Sequence, residues 1–489
     1  MPSETAPLQA GVLSELEAAV GRDGLIVEQS QLQTYECDGL TAIRTMPSAV
    51  VLPRSTEQVQ AVVRVCAKHK LPFVARGAGT GLSGGAMPAA GGIVISFARM
   101  TQILNVDIPN QRMKVQPGVI NNHLTARVAP HGYFYAPDPS SQSVCTIGGN
   151  VAENAGGAHC LKYGFTTTHV LGLEVVLPTG ELVELGAGTL DAPGYDLAGV
   201  FVGSEGTLGV ATAVTLRIVK KPETVQVLLA AFDTVSAAGQ TVSDIIAAAI
   251  LPAAMEIMDR LSIVAAEAAV HPNYPQCEAL LLIELDGPAA EVNLQMDQVR
   301  SMCKSNGAWE DRLAQSERER MLVWKGRKAA FAAAGRLAPN YIVQDGVIPR
   351  TKLPEILEAI KRMAEPTGLR VTNVFHAGDG NLHPIVLYDA SVPGQEALAT
   401  DLSIRILELC VDLGGSITGE HGVGREKQQS MGYMYAEPDL ATMQRVRHAF
   451  DPDDISNPDK LFPRPRLCGE KTGPYTPHPL EVAGVAEYF

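Results

Sequence analysis

The chain has 489 residues, enough for two to four domains at roughly 150 residues each. Hydrophobic residues make up 46% and charged residues 19%, which excludes an intrinsically disordered chain. With 39 Lys and Arg against 53 Asp and Glu, the net charge of −14 argues against nucleic-acid binding and against a basic patch for an anionic membrane.

The sequence predicts neither a membrane span nor a metal-binding cysteine cluster. Its longest uncharged apolar stretch, 245–255, contains Pro252 and falls short of the ~20 residues that a span needs. The first ten residues lack the basic and apolar regions of a signal peptide. None of the eight cysteines forms a C-x-x-C pair, so we expect no iron–sulfur cluster and no disulfide scaffold. This cysteine usage is typical of a protein that resides in a reducing cytosol.

Strand and helix patterns alternate along most of the chain. The predicted elements are a helix at 11–22, a strand at 49–53, a helix at 55–70, strands at 71–76, 92–96 and 112–118, a hairpin at 172–185, a strand at 224–232, a helix at 234–250, a strand at 279–287, a helix-favouring stretch at 290–335, strands at 340–348 and 370–380 around a helix at 353–366, and a helix at 394–413. The helix at 55–70 begins with Ser55 or Thr56 as its N-cap. The part after Pro222 is typical of an α+β domain.

The first glycine-rich loop carries a misleading fingerprint. Gly79, Gly81 and Gly84 satisfy G-x-G-x-x-G after a predicted strand, as in a dinucleotide-binding βαβ unit. However, Pro88 and the glycines at 91–92 follow at once, and the next strand begins too soon for a crossover helix. The loop is then either a plain turn or an anion-binding nest of free backbone N–H groups.

Two more glycine-rich loops, at 137–157 and 203–209, favour the second interpretation. The longer loop combines hydroxyl donors, amides and glycines with few charges, a surface that suits a pyrophosphate and a hydrogen-bonding heterocycle. Four segments then carry a family resemblance: PSAVVLPRSTEQV at 47–59, RGAGTGLSGG at 76–85, DPSSQSVCTIGGNVAENAGG at 138–157 and GSEGTLGV at 203–210. From about residue 35 to about 463, the chain resembles the vanillyl-alcohol oxidase/p-cresol methylhydroxylase flavoproteins. Within them it is most similar to the FAD-linked D subunits of bacterial glycolate oxidases (glycolate dehydrogenases).

The resemblance implies an α+β fold in four parts. These are an N-terminal helical segment at 1–46, a two-subdomain FAD-binding domain of the p-cresol methylhydroxylase (PCMH) type at 47–222, an α+β substrate (cap) domain at 223–413, and a C-terminal segment at 414–489 that returns to the FAD domain and completes the active site. From about 463 the tail is proline-rich and irregular. It is read either as a partner-docking segment or as a disordered end.

The resemblance also implies that FAD lies along the glycine-rich loops, with its pyrophosphate at 76–84. The residues expected to bind it are Arg76, Gly77, Gly79, Thr80, Gly81, Leu82, Ser83, Pro137, Asp138, Ser141, Thr146, Gly149, Asn150, Asn154, Gly156, Gly157, Glu205, Gly206, Val210 and Asn457. Covalently flavinylated relatives carry a histidine in or near the first loop. No histidine occurs here between His69 and His123, so we expect non-covalent FAD.

A second chemical signal comes from two histidine motifs. His376 and His383 flank a glycine-rich stretch that disfavours a helix, and a strand–turn–strand arrangement would bring their rings together. Glu420 and His421 follow in another glycine-rich loop. Two histidines and a carboxylate suit a divalent metal with an open position, the alternative being that each histidine only makes local hydrogen bonds. The resemblance implies that His376, His383 and Glu420 bind the metal and that His421 is the base.

These residues suit the oxidation of a 2-hydroxy acid. A metal lowers the pKa of the substrate hydroxyl, a neutral His421 accepts its proton, and the hydride passes to the flavin. Arg327, in the family's W-x-x-R motif, is expected to clamp the substrate carboxylate, the alternative being a solvated helix arginine. Val343 and Ile385 stand where D-2-hydroxyglutarate-oxidising relatives have polar groups. A second carboxylate would be unpaired there, which favours a short acid such as glycolate or D-lactate.

The leading hypothesis is therefore an FAD-dependent 2-hydroxyacid dehydrogenase acting on glycolate. The alternatives are a stand-alone D-lactate dehydrogenase and a non-catalytic flavin-binding subunit, although the complete His/Glu set disfavours the latter. The resemblance implies two partners, a second FAD-binding subunit and an iron–sulfur subunit, and no nucleic acid. We expect a cytoplasmic protein, with any contact to the inner face of the plasma membrane made peripherally through partners.

Overall fold

The structure is a computed structural model that describes residues 8–186 and 193–463. The tail beyond residue 463, read above as a docking segment or a disordered end, lies outside the described residues. In the described ranges, no helix combines the length and the apolar character required to cross a membrane.

The first subdomain is a four-stranded sheet with helices. Its elements are α1 (Ala10–Val20), β1 (Leu25–Ile26), α2 (Gln29–Leu32), β2 (Ala49–Val51), α3 (Thr56–His69), β3 (Phe73–Arg76) and β4 (Ile93–Ser96). The strand order is β1-β2-β4-β3, and β4 pairs in parallel with both β2 and β3. The predicted helical segment at 1–46 thus also supplies one strand, because β1 pairs antiparallel with β2.

The local sequence explains this layer. Ser55 is the N-cap of α3 and accepts a hydrogen bond from the Gln58 N–H, as one of the two predicted caps. Buried Val59, Val62 and Cys66 recur at helical spacing and pack α3 onto the sheet. No helix separates β3 from β4, which confirms that the glycine-rich loop between them is not a Rossmann turn.

The second subdomain is a five-stranded antiparallel sheet. Its elements are β5 (Ile103–Asp107), β6 (Arg112–Val115), α4 (Asn121–Val128), β7 (Tyr133–Phe134), α5 (Ile147–Glu153), α6 (Cys160–Tyr163), α7 (Thr166–His169), β8 (Val170–Val176), β9 (Leu182–Gly186), α8 (Leu197–Phe201), β10 (Val210–Arg217) and β11 (Val219–Lys220). The order is β5-β6-β10-β8-β9, and β7 pairs with β11. The predicted hairpin is present as β8 and β9.

The cap domain is a larger mixed layer of strands and helices. Its elements are β12 (Thr224–Phe232), α9 (Val235–Ala247), β13 (Ala254–Asp259), α10 (Arg260–Val270), β14 (Ala279–Gly287), α11 (Ala289–Ser305), β15 (Glu310–Leu313), α12 (Glu317–Ala333), β16 (Asn340–Val343), β17 (Gly346–Val347), α13 (Leu353–Ala364), β18 (Arg370–His376), β19 (Asn381–Leu382), β20 (Pro384–Tyr388) and α14 (Gln395–Asp412). The main order is β15-β12-β14-β13-β18-β19-β17, and β20 joins β18 to β16.

Both faces of this sheet are covered by helices. Along β12, Leu228 and Phe232 pack into a core with α9, α11, α13 and α14, whereas Leu229 packs on the other side against α10 and α12. Alternate residues of a strand point to opposite faces, so a stretch of strand that is buried on both faces is apolar, as 227–232 of β12 and 279–283 of β14 are. This arrangement places the ends of β13 and β18 at the FAD domain.

The C-terminal segment returns to the first subdomain, as expected. It contains α15 (Gln428–Met434) and α16 (Glu437–Phe450). Beyond α16, the Asn457 N–H donates to the Phe73 carbonyl and the Phe73 N–H donates to the Ile455 carbonyl, so this segment covers the outer edge of β3. The chain therefore closes around the loop that follows β3.

Candidate functional site

The loop between β3 and β4 is built as an anion cradle. In the described chain, the backbone N–H groups of 78–82 donate no hydrogen bond, although neighbouring loop residues do. The loop is held from outside: Asn457 Nδ2 donates to the carbonyls of Gly85 (2.8 Å) and Glu205 (2.6 Å), and the Arg425 N–H donates to the Ser83 carbonyl (2.9 Å). Free N–H groups on a fixed loop suit a phosphate group.

A cavity of about 400 Å³ runs from this loop to the histidine motifs. Many of the predicted cofactor residues line it: Arg76, Gly77, Gly79, Thr80, Gly81, Leu82, Ser141, Thr146, Gly149, Asn150, Glu205 and Gly206. Glu420 and His421 line it as well. The three glycine-rich loops and the second histidine motif, far apart in the sequence, thus meet at one space.

The other predicted cofactor residues do not line the cavity and instead contact the residues around it. Pro137 and Asn154 accept hydrogen bonds from Asn121 and Thr167, Asp138 binds His159, and Val210 lies in the core of the first subdomain. Ser83 and Asn457 brace the loops as described above. Gly156 lies against Glu420 and Gly157 against Asp138, where a Cβ atom would come within 2.7 Å of the first carboxylate and 2.5 Å of the second residue's backbone.

The shape and chemistry of the cavity fit FAD. A Cβ on Gly81 or Gly206 would meet no atom closer than 3.8 Å, so a side chain there would project into the cavity. Arg76 is buried on the same wall and supplies a cation. Together with the free N–H groups at 78–82, these residues would hold a pyrophosphate, while the amides and hydroxyls of 140–150 would face a heterocycle.

The three predicted metal ligands converge at the end of β18. His376 pairs with Asn381 across a tight turn at Asp379–Gly380, as predicted, and His383 follows directly. His376 Nε2 lies 3.2 Å from Glu420 Oε1, and His383 Nε2 lies 3.4 Å from the same oxygen. The ligand atoms all lie within 4.8 Å of one another. The two imidazole rings meet edge to face with 5.1 Å between centroids.

This cluster fits a divalent cation. Both ring nitrogens of His383 are buried without a well-aligned hydrogen bond in the described chain, and Nε2 lies 3.4 Å from Asp345 Oδ1 as well as from Glu420 Oε1. A nitrogen lone pair that faces two carboxylates suits a shared cation. Burial opposes the charge on Glu420, but His376 and His383 hold its pKa at about 2, so it is ionised. A second group, Asp345, His383 and His421, shares His383 with the first. Two histidines and a carboxylate leave room for substrate on the metal.

The predicted base, His421, stacks on His383 with 4.9 Å between ring centroids. Burial lowers the pKa of His421 to about 4, so its imidazole is neutral at neutral pH and can accept a proton. Its loop is held from both domains. Asp345 Oδ2 accepts from the N–H groups of 419–421 at 2.9–3.1 Å, and Glu205 accepts from those of Val423 and Gly424 at 2.6 and 2.7 Å.

Arg327, the predicted carboxylate clamp, lies on α12 behind the metal ligands. It is buried, and its Nη2 lies 2.5 Å from Glu256 Oε2. The other oxygen of Glu256 lies 2.7 Å from His376 Nδ1. The guanidinium carbon lies 5.5 Å from the centroid of Phe331, whose ring also contacts His383 and lines the cavity. Arg327 is therefore not a solvated helix arginine.

Sequence reasoning missed several residues of this site. Glu256 and Asp345 stand in no recognised motif, while Lys328 and Phe331 follow the W-x-x-R motif of Arg327 but were given no role. A carboxylate inside the apolar strand 254–259 was nevertheless a detectable sign of a buried charge, and Asp345 stands next to a glycine in a predicted strand. Of the two apolar specificity residues, Val343 lines the cavity. Ile385 does not, because it packs with Ala334 and Leu387 in a separate core.

Comparisons with known proteins agree with this geometry. Residues 47–186 match the family described as the FAD binding domain, and residues 221–461 match the C-terminal domain of FAD linked oxidases. Glycolate oxidase subunit GlcD of Escherichia coli (strain K12) is 50% identical over 94% of this chain and 93% of its own length. The chain belongs to the FAD-linked oxidase family. This membership supports FAD as its cofactor.

One further sequence relative and one solved structure are similar to this FAD-linked oxidase. The D-lactate dehydrogenase of Anaerostipes hadrus is 33% identical over 86% of this chain and 90% of its own length. The solved structure of p-cresol methylhydroxylase with substrate bound superposes with a TM-score of 0.79, at 17% identity, over 95% of this chain and 99% of that one. The expected fold, a FAD-binding domain of this type with an α+β cap domain, is confirmed.

Proposed function

We propose that this FAD-linked oxidase is a catalytic 2-hydroxyacid dehydrogenase that oxidises glycolate. The single observation that carries this proposal is the shared cavity: the anion cradle at 78–82 and the pair Glu420 and His421 line one space. A flavin held by the cradle would share that space with a substrate at the histidine cluster. The GlcD subunit at 50% identity supports glycolate as the substrate.

The residues of the chain divide the reaction between them. Arg327 binds the substrate carboxylate and His421, neutral because burial lowers its pKa, accepts the hydroxyl proton. His376, His383 and Glu420 hold a divalent cation, which when bound supplies Lewis-acid polarisation of the hydroxyl. FAD, bound without a covalent link, supplies the hydride acceptor. Asp345 and Glu205 keep the base in place by holding both sides of its loop.

The walls near His421 favour a short substrate. Phe331, Tyr341 and Val343 line the cavity there, and they offer no hydrogen-bond donor except the Tyr341 hydroxyl. Lys328 also lines the cavity, but its ammonium group already lies 3.3 Å from the Asp138 carboxylate, so a second substrate carboxylate would have to compete for it. D-2-hydroxyglutarate is therefore disfavoured. A methyl group would be accepted, and the D-lactate dehydrogenase at 33% identity makes D-lactate the second candidate substrate.

Electrons from the flavin would leave through other subunits. The relatives named as glycolate oxidase subunits support assembly into a complex, and we propose a second FAD-binding subunit and an iron–sulfur subunit as the partners. The proposed location is the cytoplasm, with peripheral association at the inner face of the plasma membrane through those partners. Nothing in the charge of the chain favours a direct electrostatic contact with anionic lipid.

The test is an anaerobic absorbance titration of the purified, FAD-loaded full-length chain. We expect glycolate to bleach the flavin fastest, D-lactate more slowly, and D-2-hydroxyglutarate least. Faster bleaching by D-lactate would favour the dehydrogenase alternative. A flavin that none of the three acids reduces, even with added Zn²⁺ or Mn²⁺, would contradict the proposal. Acid precipitation should release all of the flavin; retention by the pellet would contradict non-covalent binding.

A further inference from the structure

Glu256 is a carboxylate in the middle of the central sheet of the cap domain. It lies on β13 between the apolar neighbours Met255 and Ile257, and its side chain has no solvent exposure. It stands directly opposite His376 in the antiparallel pairing of β13 with β18. A buried carboxylate without partners is strongly destabilising, so its partners define its role.

Each oxygen of Glu256 contacts a different functional group. Oε1 lies 2.7 Å from His376 Nδ1, and Oε2 lies 2.5 Å from Arg327 Nη2. The second ring nitrogen of His376 faces the Glu420 carboxylate at 3.2 Å. The Glu256 side chain thus lies between a proposed metal ligand, His376, and the proposed carboxylate clamp, Arg327, and contacts both.

We infer that Glu256 is a positioning residue that holds both halves of the substrate site at once. The inference rests on the proposed function. A carboxylate that accepts the Nδ1–H of His376 fixes the ring tautomer, which leaves the Nε2 lone pair for a metal. The same carboxylate turns the guanidinium of Arg327 and offsets its charge, so that the remaining N–H groups stay available for a substrate carboxylate.

The inference predicts a shared loss of two affinities. Removing Glu256 should weaken metal binding and carboxylate binding together, because both partners lose the same anchor. Changing Arg327 should weaken only carboxylate binding, since His376 keeps its partner. Asp259 provides a control on the same strand: it is a half-buried carboxylate that caps α10 and binds Thr372 and Asn373, and it is not among the residues that line the cavity.

The experiment compares FAD-loaded full-length wild type with Glu256→Ala, Glu256→Gln, Arg327→Lys and Asp259→Asn. Zinc affinity is measured by competition with a chelator and metal analysis. Oxalate affinity is measured at saturating zinc from the change in flavin absorbance. For Glu256→Ala we expect zinc binding to weaken roughly 10- to 100-fold and oxalate binding at least about 10-fold. Arg327→Lys should change only oxalate affinity, and Asp259→Asn neither.

The inference is overturned if a folded, FAD-loaded Glu256→Ala variant changes only one of the two affinities, or neither. If that variant does not fold, Glu256→Gln decides. Its amide can accept from one partner but must present N–H groups to the other, so at least one affinity should fall about 10-fold. Two unchanged affinities would refute the role. Neither assay needs turnover, so a wild type that glycolate fails to reduce rejects the proposed function separately.

Discussion

Phe331 occupies the position where the proposed carboxylate clamp, the proposed metal ligands and the cavity meet. Its ring centroid lies 5.3 Å from that of His383 and 5.5 Å from the Arg327 guanidinium carbon. Phe331 also lines the cavity, beside the histidine cluster. We therefore expect Phe331 to limit the length of the substrate. Sequence reasoning gave Val343 and Ile385 a different role, which was to deny a partner to a second carboxylate.

Shortening Phe331 should therefore relax the preference for glycolate. For Phe331→Ala we expect the ratio of kcat/KM for D-2-hydroxybutyrate to that for glycolate to rise roughly 10-fold, because one or two methylenes gain room. The ratio is read from flavin reduction, so a general loss of activity cancels. Ile385→Val is the control that should leave the ratio unchanged. An equal change in both variants would show that the effect is not local.

Site residues that stand in motifs could be recognised from the sequence, whereas isolated site residues could not. His376, His383, Glu420 and His421 stand in two glycine-rich motifs, so their convergence in one cluster could be predicted, while their roles stay predictions. Glu256 could not be assigned, since its role depends on the register that sets it opposite His376. A single sequence does not give the register between strands that are 120 residues apart.

The element that carries the base is a loop with a carboxylate anchor from each domain. Asp345 follows β16 and accepts hydrogen bonds from three consecutive N–H groups and from the Thr418 hydroxyl at 2.6 Å. Glu205 accepts two more from the other side of His421. Burial raises the pKa of Glu205 to about 7, although these N–H groups favour its charged form. The loop is therefore rigid through its anchors.

Removing one anchor should loosen the loop before it affects FAD binding. Asp345→Asn keeps only one accepting oxygen and loses the negative charge that strengthens these hydrogen bonds, so we expect amide hydrogen exchange at 418–421 to speed up roughly 10- to 100-fold. Turnover should fall while the flavin content stays at that of the wild type. Hydrogen-exchange mass spectrometry makes the measurement, with Asp412→Asn, which loses only an exposed bond from Tyr433, as the control. Unchanged exchange would show that Asp345 is not the anchor.

Among the predicted elements, local pattern placed most boundaries within a few residues, but no prediction covered β13, α10, α15 or α16. Tertiary pairing explains one further error. The helix-favouring stretch at 290–335 is two helices, α11 and α12, with the edge strand β15 between them. The four residues of β15 are all half-buried and include three charged side chains, so they show no strand pattern. Their conformation comes from pairing with β12, which a local pattern does not reveal.

For the molecule as a whole, a charged network joins the FAD domain to the cap. His159 Nδ1 lies 3.0 Å from Asp138, and its Nε2 lies 3.0 Å from Glu284 on β14. Glu284 also accepts from the Trp324 indole at 2.6 Å. Burial opposes the charge on His159, but Asp138 and Glu284 raise its pKa well above the usual value. Conversely, His159 and Lys328 hold the pKa of Asp138 below its usual range.

This network makes stability depend on pH in a defined direction. The raised pKa of His159 means that its contribution is complete below about pH 6.5 and fades as pH rises through the raised value, whereas the contribution of Asp138 is lost in acid. We expect His159→Gln to destabilise the holoprotein by on the order of 2 kcal/mol at mildly acidic pH and by less in alkali. Urea unfolding across pH measures this difference. Exposed His131→Gln is the control; a pH-independent difference would contradict the network.

The outer edge of β3 is covered by residues 455–457, which the ribosome makes long after β3 itself. Asn457 braces Gly85 from 372 residues further along the chain, so the anion cradle lacks this support until almost all of the described chain has been translated. At ~10 residues per second, roughly 40 s separate the two on the ribosome. During that interval β3 is an unpaired sheet edge open to wrong partners. We therefore expect stable FAD binding only after residues 455–457 have been translated, and a chaperone that shields this edge should raise the yield of flavin-loaded protein.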